Sequence, residues 1–516
     1  MSTSPRKRLL SQIKHKVSEF CGHTTAHGYG RVADAGDSRA RKWFWLLACC
    51  GAFVAFSVQL YFITEQYLSR PLKTRIKIMH DKKLSFPQVT ICNINMIRKS
   101  KFPNEILQEY PELLDESLLK RLNKTTSRSS RANSNAKGLP NVNDLPEKDG
   151  LIERVLTSLA KIPEEKLINY GHQLDDMIIG CVFNYIDCLE EDMRNSWTHF
   201  WHKLYGNCYT FNKGINDVGE TIEVMNSSQA GLGLTLEINI EQLDYVSVLS
   251  QEAGIRVFIG GQREMPFPYE QGISVSPGFS TAIELRKVAI GRLDPFENRS
   301  CIKTGDELIE GHNIFRRYNV TYTSMLCKMS CFAELMNERC GCVWYSISYD
   351  LGIPVCDIEN MTVVVCVNEV VDKFHDGACN NQCKEQCRED EFKSSVSMAR
   401  WPSRQYLTSL LGELERHVPN ITENRGDVGD YFLKLKIYYG ELNYELIEEE
   451  AAYSVNSFWS DIGGLMGMWI GISVLTVVEV LELTATITAT IVKTLKKKKS
   501  HIREVKPQKE DNLQRF

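Results

Sequence analysis

The sequence has no marked excess of charge of either sign, and it lacks the motifs of the common enzyme families. Its 516 residues contain 61 Lys and Arg against 65 Asp and Glu, which gives a formal net charge of −4. Nucleic-acid-binding proteins normally carry a basic excess, so this balance argues against that class. The sequence contains no G-x-S-x-G, P-loop or H-E-x-x-H motif and no apparent internal repeat. We therefore expect neither an enzyme nor a cofactor.

Long apolar runs are also scarce, and the mean hydropathy of −0.26 is that of a soluble protein. Two apolar segments are nevertheless present. Residues 43–63 contain no charged side chain, and their length matches a hydrocarbon layer of about 30 Å. Residues 465–492 include Glu479 and Glu482. A carboxylate at membrane depth is costly and normally faces water or a partner, unless it lies near the interface. We predict two transmembrane helices, residues 43–63 and 465–492.

The basic residues that flank these segments predict their orientation. Arg and Lys at positions 39–42 precede the first segment, and the lysines of 493–499 follow the second. Because basic residues concentrate on the cytoplasmic side, both termini are predicted to be cytoplasmic, in a multi-pass plasma-membrane protein. Residues 1–42 and 493–516 are then cytoplasmic, and residues 64–464 are extracellular.

Glycosylation sequons and cysteines both concentrate in this predicted extracellular region. The six sequons begin at Asn123, Asn226, Asn298, Asn319, Asn360 and Asn420. Fourteen of the 17 cysteines lie between Cys92 and Cys387, whereas Cys21, Cys49 and Cys50 lie outside. An even number of cysteines in an oxidising compartment predicts seven disulfides. No matching histidine pair accompanies the closely spaced cysteines, so we expect no metal site.

The predicted extracellular region combines strand and helix patterns. Apolar residues alternate with polar ones at 234–238 and at 433–437, which predicts two strands. Cys327 and Cys331 are four residues apart in a run typical of a helix, which places them on one helical face. The predicted fold is integral membrane α+β, with two transmembrane helices and a large, disulfide-rich mixed α/β ectodomain.

The second apolar segment also shows features of a pore. Gly463, Gly467 and Gly471 are spaced four residues apart, which permits close packing of helices in lipid. On a straight helix Gly471 falls almost opposite Ser473. If both residues line a pathway, the backbone must leave the helix there, which is tolerated at membrane depth only beside a water-filled cavity. Helix packing without conduction remains the alternative at this point.

Several ordered motifs resemble those of the epithelial sodium channel/degenerin superfamily. They are Phe86-Pro87-Gln88-Val89-Thr90-Ile91-Cys92-Asn93, Tyr205-Gly206-Asn207-Cys208-Tyr209-Thr210-Phe211-Asn212, Pro277-Gly278-Phe279, Leu442-Asn443-Tyr444, and Asp461-Ile462-Gly463-Gly464 leading to Gly471-Ile472-Ser473. The residues of these motifs are most similar to those of the acid-sensing and peptide-gated branches. The resemblance implies a trimeric, sodium-preferring, amiloride-sensitive channel with an ectodomain of the acid-sensing channel type.

The resemblance also implies roles for individual residues. Gly471, Ile472 and Ser473 would form the selectivity filter, in an extended rather than helical conformation. The residues implied in the pore and in gating are His27 and Gly28 as a cytoplasmic motif, Ser457 where bulky side chains hold such channels open, Asp461 at the extracellular mouth, Gly464, and Glu479. The implied disulfides are Cys92–Cys208, Cys181–Cys188, Cys301–Cys387, Cys327–Cys383, Cys331–Cys379, Cys340–Cys366 and Cys342–Cys356.

Departures from the family pattern bear on the stimulus. Pro71-Leu72 stands where acid-sensing members carry paired histidines, the side chains that titrate between pH 5 and 8. In the ectodomain pocket, Arg263-Glu264 stands where two acids are usual, and an attraction between Arg263 and Asp372 is expected. At the wrist, Arg70 replaces an aromatic residue, and a cation–π contact with Phe296 of about 0.5–2 kcal/mol is expected.

We therefore expect a homo- or hetero-trimer that conducts sodium ions through the membrane and is gated from the extracellular side. A peptide or other small ligand is the first candidate for the stimulus, protons are the second, and constitutive opening is the third. A two-span receptor or adhesion protein that does not conduct is the alternative from another class. A nucleotide-gated two-span channel would need a basic phosphate cradle, which the sequence does not show.

Overall fold

The computed structural model describes residues 5–25, 28–33, 39–114, 147–293, 301–303, 314–349, 352–417 and 428–504. The chain divides into two compact units. One consists of Met1–Lys73 together with Glu450–Phe516, and the other consists of Thr74–Glu449. The first unit contains both candidate membrane spans, and the second contains the cysteines that form disulfides.

The α-helices of the described residues are Pro5–His23, Tyr29–Ala33, Arg39–Leu68, Asn104–Glu109, Glu147–Ala160, Glu164–Leu167, Leu174–Met177, Glu191–Arg194, Pro268–Gln271, Ser324–Cys340, Met361–His375, Arg404–His417, Val455–Leu465 and Val474–Glu504. A π-helical turn spans Met466–Ile470. Short 3₁₀ turns are Lys99–Lys101, Pro111–Leu114, Gln242–Asp244, Arg316–Tyr318, Tyr345–Ile347 and Val428–Asp430.

Two helices are long and apolar enough to cross a membrane, Arg39–Leu68 and the first part of the last helix, Val474–Lys496. The first extends beyond the predicted 43–63 at both ends. The second predicted segment, 465–492, is not one continuous helix. Its first residues belong to the end of Val455–Leu465 and the π-helical turn, and a new helix begins at Val474. The predicted domain boundaries depend on where the membrane surfaces cross these helices, and they stay predictions.

The strands are β1 Leu72–His80, β2 Leu84–Ser85, β3 Gln88–Asn93, β4 Ile178–Phe183, β5 Ile186–Asp187, β6 Trp197–His202, β7 Gly206–Phe211, β8 Asn226–Ser227, β9 Gly233–Asn239, β10 Ile255–Gly260, β11 Ile273–Val275, β12 Phe279–Gly291, β13 Arg388–Arg400, β14 Phe432–Tyr439 and β15 Asn443–Ala451. An eight-stranded mixed sheet has the order β1-β15-β12-β14-β9-β4-β5, with β13 paired to β12. A five-stranded sheet has the order β11-β10-β3-β7-β6.

The alternating patterns at 234–238 and 433–437 are strands β9 and β14, as predicted, and they pair with each other. Leu435 lies opposite Leu236 in the antiparallel register. Both side chains are fully buried in a core that also includes Ile91 of β3 and Phe211 of β7. Apolar side chains from the eight-stranded and five-stranded sheets therefore share one core, which fixes the register because a one-residue slip would expose every buried side chain.

Seven disulfides join the same cysteine pairs that the family resemblance implies. They are Cys92–Cys208, Cys181–Cys188, Cys301–Cys387, Cys327–Cys383, Cys331–Cys379, Cys340–Cys366 and Cys342–Cys356. Cys327 and Cys331 lie on the helix Ser324–Cys340, as their spacing predicted. Cys21, Cys49 and Cys50 are free thiols. The predicted fold class, two candidate spans with a disulfide-rich mixed α/β region between them, is confirmed.

Candidate pore site

The helical path of the second predicted span is interrupted at residues 471–473. Gly471 has a φ of +69°, a left-handed conformation that costs a residue with a Cβ about 1–2 kcal/mol. The N–H groups of Gly471 and of Ile472 both donate to the carbonyl of Met466. Helical hydrogen bonding resumes when Val477 N–H donates to the Ser473 carbonyl at 3.1 Å. A glycine therefore stands where the chain makes its turn.

The break leaves backbone carbonyl groups available. Within the part of the chain that the structure describes, no hydrogen bond reaches the carbonyl oxygens of Gly471 and Ile472. Unsatisfied backbone groups at membrane depth are tolerated only beside protein or water. Carbonyl oxygens in such a position can replace part of the hydration shell of a cation. The three residues implied as a filter thus lie in a segment that is not helical.

Ser473 and Thr476 contact each other on the carboxy-terminal side of the break. Ser473 N–H donates to Thr476 Oγ1 at 3.1 Å. The two hydroxyl oxygens lie 3.3 Å apart. Thr476 is buried, with 3% of its surface exposed. These reciprocal contacts satisfy donors at the start of the last helix, as N-terminal capping residues commonly do.

The amino-terminal segment contacts this same helix. Thr25 Oγ1 lies 2.6 Å from Thr476 Oγ1. The Glu479 carboxylate accepts from the Thr24 hydroxyl at 2.9 Å and from the Thr25 N–H at 3.1 Å. Glu479 is thus anchored by the amino-terminal segment. The sequence patterns did not predict this contact, because the partners are more than 450 residues apart.

Gly28 packs against the first candidate span. Its φ is +83°, and a Cβ at this position would lie 2.6 Å from Cys49 Sγ. A cavity of about 200 Å³ adjoins the glycine and is lined in part by Trp45 and Trp469. His27, the neighbouring residue of the implied motif, lies outside the described residues. The close approach and the positive φ explain a glycine at position 28.

The helix Val455–Leu465 carries the residues implied at the outer end of the pore. Ser454 caps this helix by accepting from the Ser457 N–H at 3.1 Å, and the two hydroxyls lie 2.9 Å apart. The Asp461 carboxylate accepts a hydrogen bond from the Tyr453 hydroxyl. A Cβ at Gly464 would meet nothing within 4 Å. The roles implied for Ser457, Asp461 and Gly464 stay predictions.

A separate cavity of about 480 Å³ lies in the second unit beside the turn that follows β10. Its lining includes Glu264, the start of the helix Ser324–Cys340, and the acidic start of β13. Burial raises the pKa of Glu264 to about 7; the Gly261 N–H, at 2.9 Å, opposes this rise, and the charges of Glu389 and Asp390 add to it. Glu264 is therefore a carboxyl group that titrates near neutrality.

The expected attraction between Arg263 and Asp372 is not found. Among the ion pairs of described residues none joins these two side chains, and Arg263 instead donates to Asn319 Oδ1 at 2.9 Å. Arg263 has a left-handed φ of +62° at the turn. Asp372 lies near the end of the helix Met361–His375. A pocket held closed by an attraction between Arg263 and Asp372 stays a prediction.

The other implied residues are only partly described. Arg70 has a φ of +42°, and Phe296 lies outside the described residues, so their contact stays a prediction.

Of the sequon asparagines, Asn226, Asn319 and Asn360 are exposed. The remaining three, Asn123, Asn298 and Asn420, lie outside the described residues. Among the residues that the structure does describe, no group of three or more His, Cys, Asp or Glu could hold a metal ion.

Comparison with known proteins identifies the family. The amiloride-sensitive sodium channel family matches residues 20–483. The chain belongs to this family. It is 29% identical to the epithelial sodium channel subunit alpha of Xenopus laevis over 536 residues, covering 92% of this chain and 82% of that protein. It is 27% identical to the human subunit beta, covering 89% and 80%.

This family assignment confirms the resemblance to the epithelial sodium channel/degenerin superfamily and the expectation of a sodium channel of that type. A third relative, the alpha subunit of Cavia porcellus, is 28% identical and covers 90% of the chain and 74% of its own length. All three relatives are channel subunits, which favours a non-enzymatic function. Within the amiloride-sensitive sodium channel family, the expected similarity to the acid-sensing and peptide-gated branches stays a prediction.

Proposed function

We propose that this family member assembles with two copies of itself or of related subunits into a sodium-selective channel. The observation that carries the proposal is the break at residues 471–473, where the carbonyl groups of Gly471 and Ile472 accept no hydrogen bond from the described residues. Three such segments around one axis would surround a sodium ion with oxygen ligands. The names of the relatives, which are subunits alpha and beta, favour assembly from several subunits. Amiloride block is part of the proposal.

Both termini are proposed to lie in the cytoplasm. The basic residues at 39–42 and 493–499 support this orientation. The contacts of Thr24 and Thr25 with Glu479 are consistent with an amino-terminal segment that reaches the inner end of the pore. A change in the position of this segment would alter the inner mouth directly, which gives the cytoplasmic motif at Gly28 a physical route to gating.

Gating is proposed to begin outside the cell. A ligand that binds one of two conformations of the channel more tightly shifts the population toward that conformation. A peptide or other small extracellular ligand is the first candidate. Protons are a second candidate, because Glu264 borders a cavity and changes charge near neutral pH. Protonation of a buried carboxyl removes a charge from that cavity, which can favour a more closed arrangement.

Voltage clamp of cells that express the chain alone tests this function. The bath is stepped from pH 8 to pH 5, and a peptide panel is then applied at fixed pH. We expect an inward sodium current that amiloride reduces and whose reversal potential shifts when sodium replaces potassium. A current that follows pH supports protons, and one that follows a peptide supports the first candidate. If no condition produces a current, either alone or with a related subunit, the channel proposal is wrong.

Bulky substitutions on the outer helix provide a stimulus-free arm of this experiment. Ser457→Trp is expected to hold the channel open, and Ser460→Trp, one turn further along the same helix, is the matched variant. A sustained amiloride-sensitive current with Ser457→Trp supports the role proposed for that position. A sustained current with Ser460→Trp alone transfers that role to Ser460.

A further inference from the structure

A side-chain hydrogen bond joins the first candidate span to the turn that precedes the break. The indole N–H of Trp469 donates to the side-chain carbonyl of Gln59 at 2.8 Å. Gln59 lies in the second half of the helix Arg39–Leu68, and Trp469 lies in the π-helical turn Met466–Ile470. Both side chains are half-buried. The bond therefore connects two elements that are 410 residues apart in the chain.

The surroundings of Gln59 make this bond important. Its helix has no charged side chain between positions 43 and 63. Placing an amide or indole N–H in an apolar medium without a hydrogen-bond partner costs several kcal/mol. The hydrogen-bonded arrangement of Gln59 and Trp469 is therefore favoured. The serine and the threonine nearest to Gln59 on the same helix form their hydrogen bonds within that helix. Ser57 donates to the Phe53 carbonyl at 2.8 Å, and Thr64 donates to the Leu60 carbonyl at 2.7 Å.

The position of Trp469 in the chain links this bond to the pore. Trp469 is two residues before Gly471, and the N–H groups of Gly471 and Ile472 both reach back to Met466 in the same turn. The orientation of the carbonyl groups at the break therefore depends on where the π-helical turn is held. Ser473 and Thr476 contact each other on the carboxy-terminal side of the break, and the bond between Trp469 and Gln59 lies on the amino-terminal side.

We infer that Gln59 is a positioning residue for the selectivity filter, acting through the indole of Trp469. This inference rests on the proposed filter at residues 471–473. Gln59 does not touch the ion. It fixes the position of the turn that leads into the carbonyl groups of the filter. Its loss is therefore expected to change ion selectivity, and this change is separate from any effect on the amount of folded protein.

The test is a double-mutant cycle with two readouts on the full chain. Gln59→Leu removes the acceptor, and Trp469→Phe removes the donor but keeps a ring. The first readout is the sodium-to-potassium permeability ratio, which does not depend on the number of channels in the membrane. Each single variant is expected to lower this ratio by up to about threefold, the factor that corresponds to an average hydrogen bond between helices in a membrane. The double variant is expected to fall no further.

Matched variants separate positioning from packing. Ser57→Ala removes a hydroxyl that bonds only within its own helix, and Trp459→Phe changes an indole that is 65% exposed. Both are expected to keep the wild-type permeability ratio. Gln59→Asn keeps an uncharged amide oxygen on a side chain shorter by one methylene group, and it is expected to restore part of the ratio that Gln59→Leu loses. Rescue by this variant is not expected if the residue only fills space.

The second readout is the melting temperature of the purified chain in detergent, which requires no current. Coupling between Gln59→Leu and Trp469→Phe in both readouts supports the inference. Additive effects on melting show that the bond is absent, and coupling in melting with an unchanged permeability ratio shows a packing contact only. Either result overturns the positioning role. A wild-type chain that never conducts overturns the proposed function instead, and the positioning role falls with it.

Discussion

Replacement of Glu264 by glutamine should change how the stability of the protein depends on pH. The Glu264 carboxylate packs against the backbone of two glycines and accepts the Gly261 N–H at 2.9 Å. Glutamine keeps an oxygen for that N–H but cannot ionise. The substitution therefore removes one titrating group and preserves the hydrogen bond.

The magnitude follows from the pKa difference between the folded and unfolded states. The pKa of Glu264 rises from 4.5 to about 7 on folding. Between these values the unfolded carboxyl releases its proton and the folded one retains it, so the stability of the wild type falls as the pH rises through this window. Each unit corresponds to 1.36 kcal/mol, which gives a loss of up to about 3 kcal/mol by pH 8. Below pH 4.5 the contribution is absent.

Thermal unfolding of the purified full chain at pH 5 and pH 8 measures this effect. We expect Glu264→Gln to raise the melting temperature at pH 8 much more than at pH 5. Glu391→Gln is the matched control, because Glu391 lines the same cavity with an exposed side chain. It removes one negative charge from the cavity without relieving a buried one. Equal pH dependence in the wild type and in Glu264→Gln would refute this reasoning.

Three further substitutions test the pore and the disulfide frame. Gly471→Ala should introduce about 1–2 kcal/mol of backbone strain at the break and lower the sodium-to-potassium permeability ratio. Gly463→Ala should leave this ratio unchanged, because a methyl group there meets nothing within 4 Å. Equal ratios in the two variants would contradict the strain argument. Asp461→Asn should reduce single-channel conductance more at about 0.01 M salt than at 0.1 M, because screening shortens the reach of a charge, and a salt-independent effect would count against a role at the mouth. Cys331→Ser should destabilise the second unit by about 3 kcal/mol from loop entropy. The disulfide that encloses the Cys331–Cys379 bond lies four residues away at each end, so only a short loop is released. An unchanged melting temperature would be evidence against this estimate.

The sequence predicted the parts of the fold that have a local signature. Alternation identified β9 and β14, whose partners Leu236 and Leu435 then meet across the sheet. The helical projection showed that Gly471 and Ser473 could not share one wall of a straight helix, and the backbone does leave the helix between them. Each of these inferences rests on a periodicity within a short stretch of chain.

The contacts that the sequence did not predict join residues that are distant in the chain. Nothing near Gln59 indicates that its partner is Trp469, and nothing near Glu479 indicates Thr24. The hydrogen bond from Arg263 to Asn319 was not predicted for the same reason, since the choice among several polar partners depends on side-chain direction. Such directions follow from tertiary packing, which no local pattern encodes.

Thiol modification of a cysteine placed in the break tests the channel account most directly. Sodium current is recorded from membrane patches of cells that express Ser473→Cys. A positively charged methanethiosulfonate reagent is applied to each face of the patch in turn. We predict a progressive loss of current that the wild type, with its free Cys21, Cys49 and Cys50, does not show. A sodium current through Ser473→Cys that remains unchanged with reagent on both faces would contradict a pathway along residues 471–473.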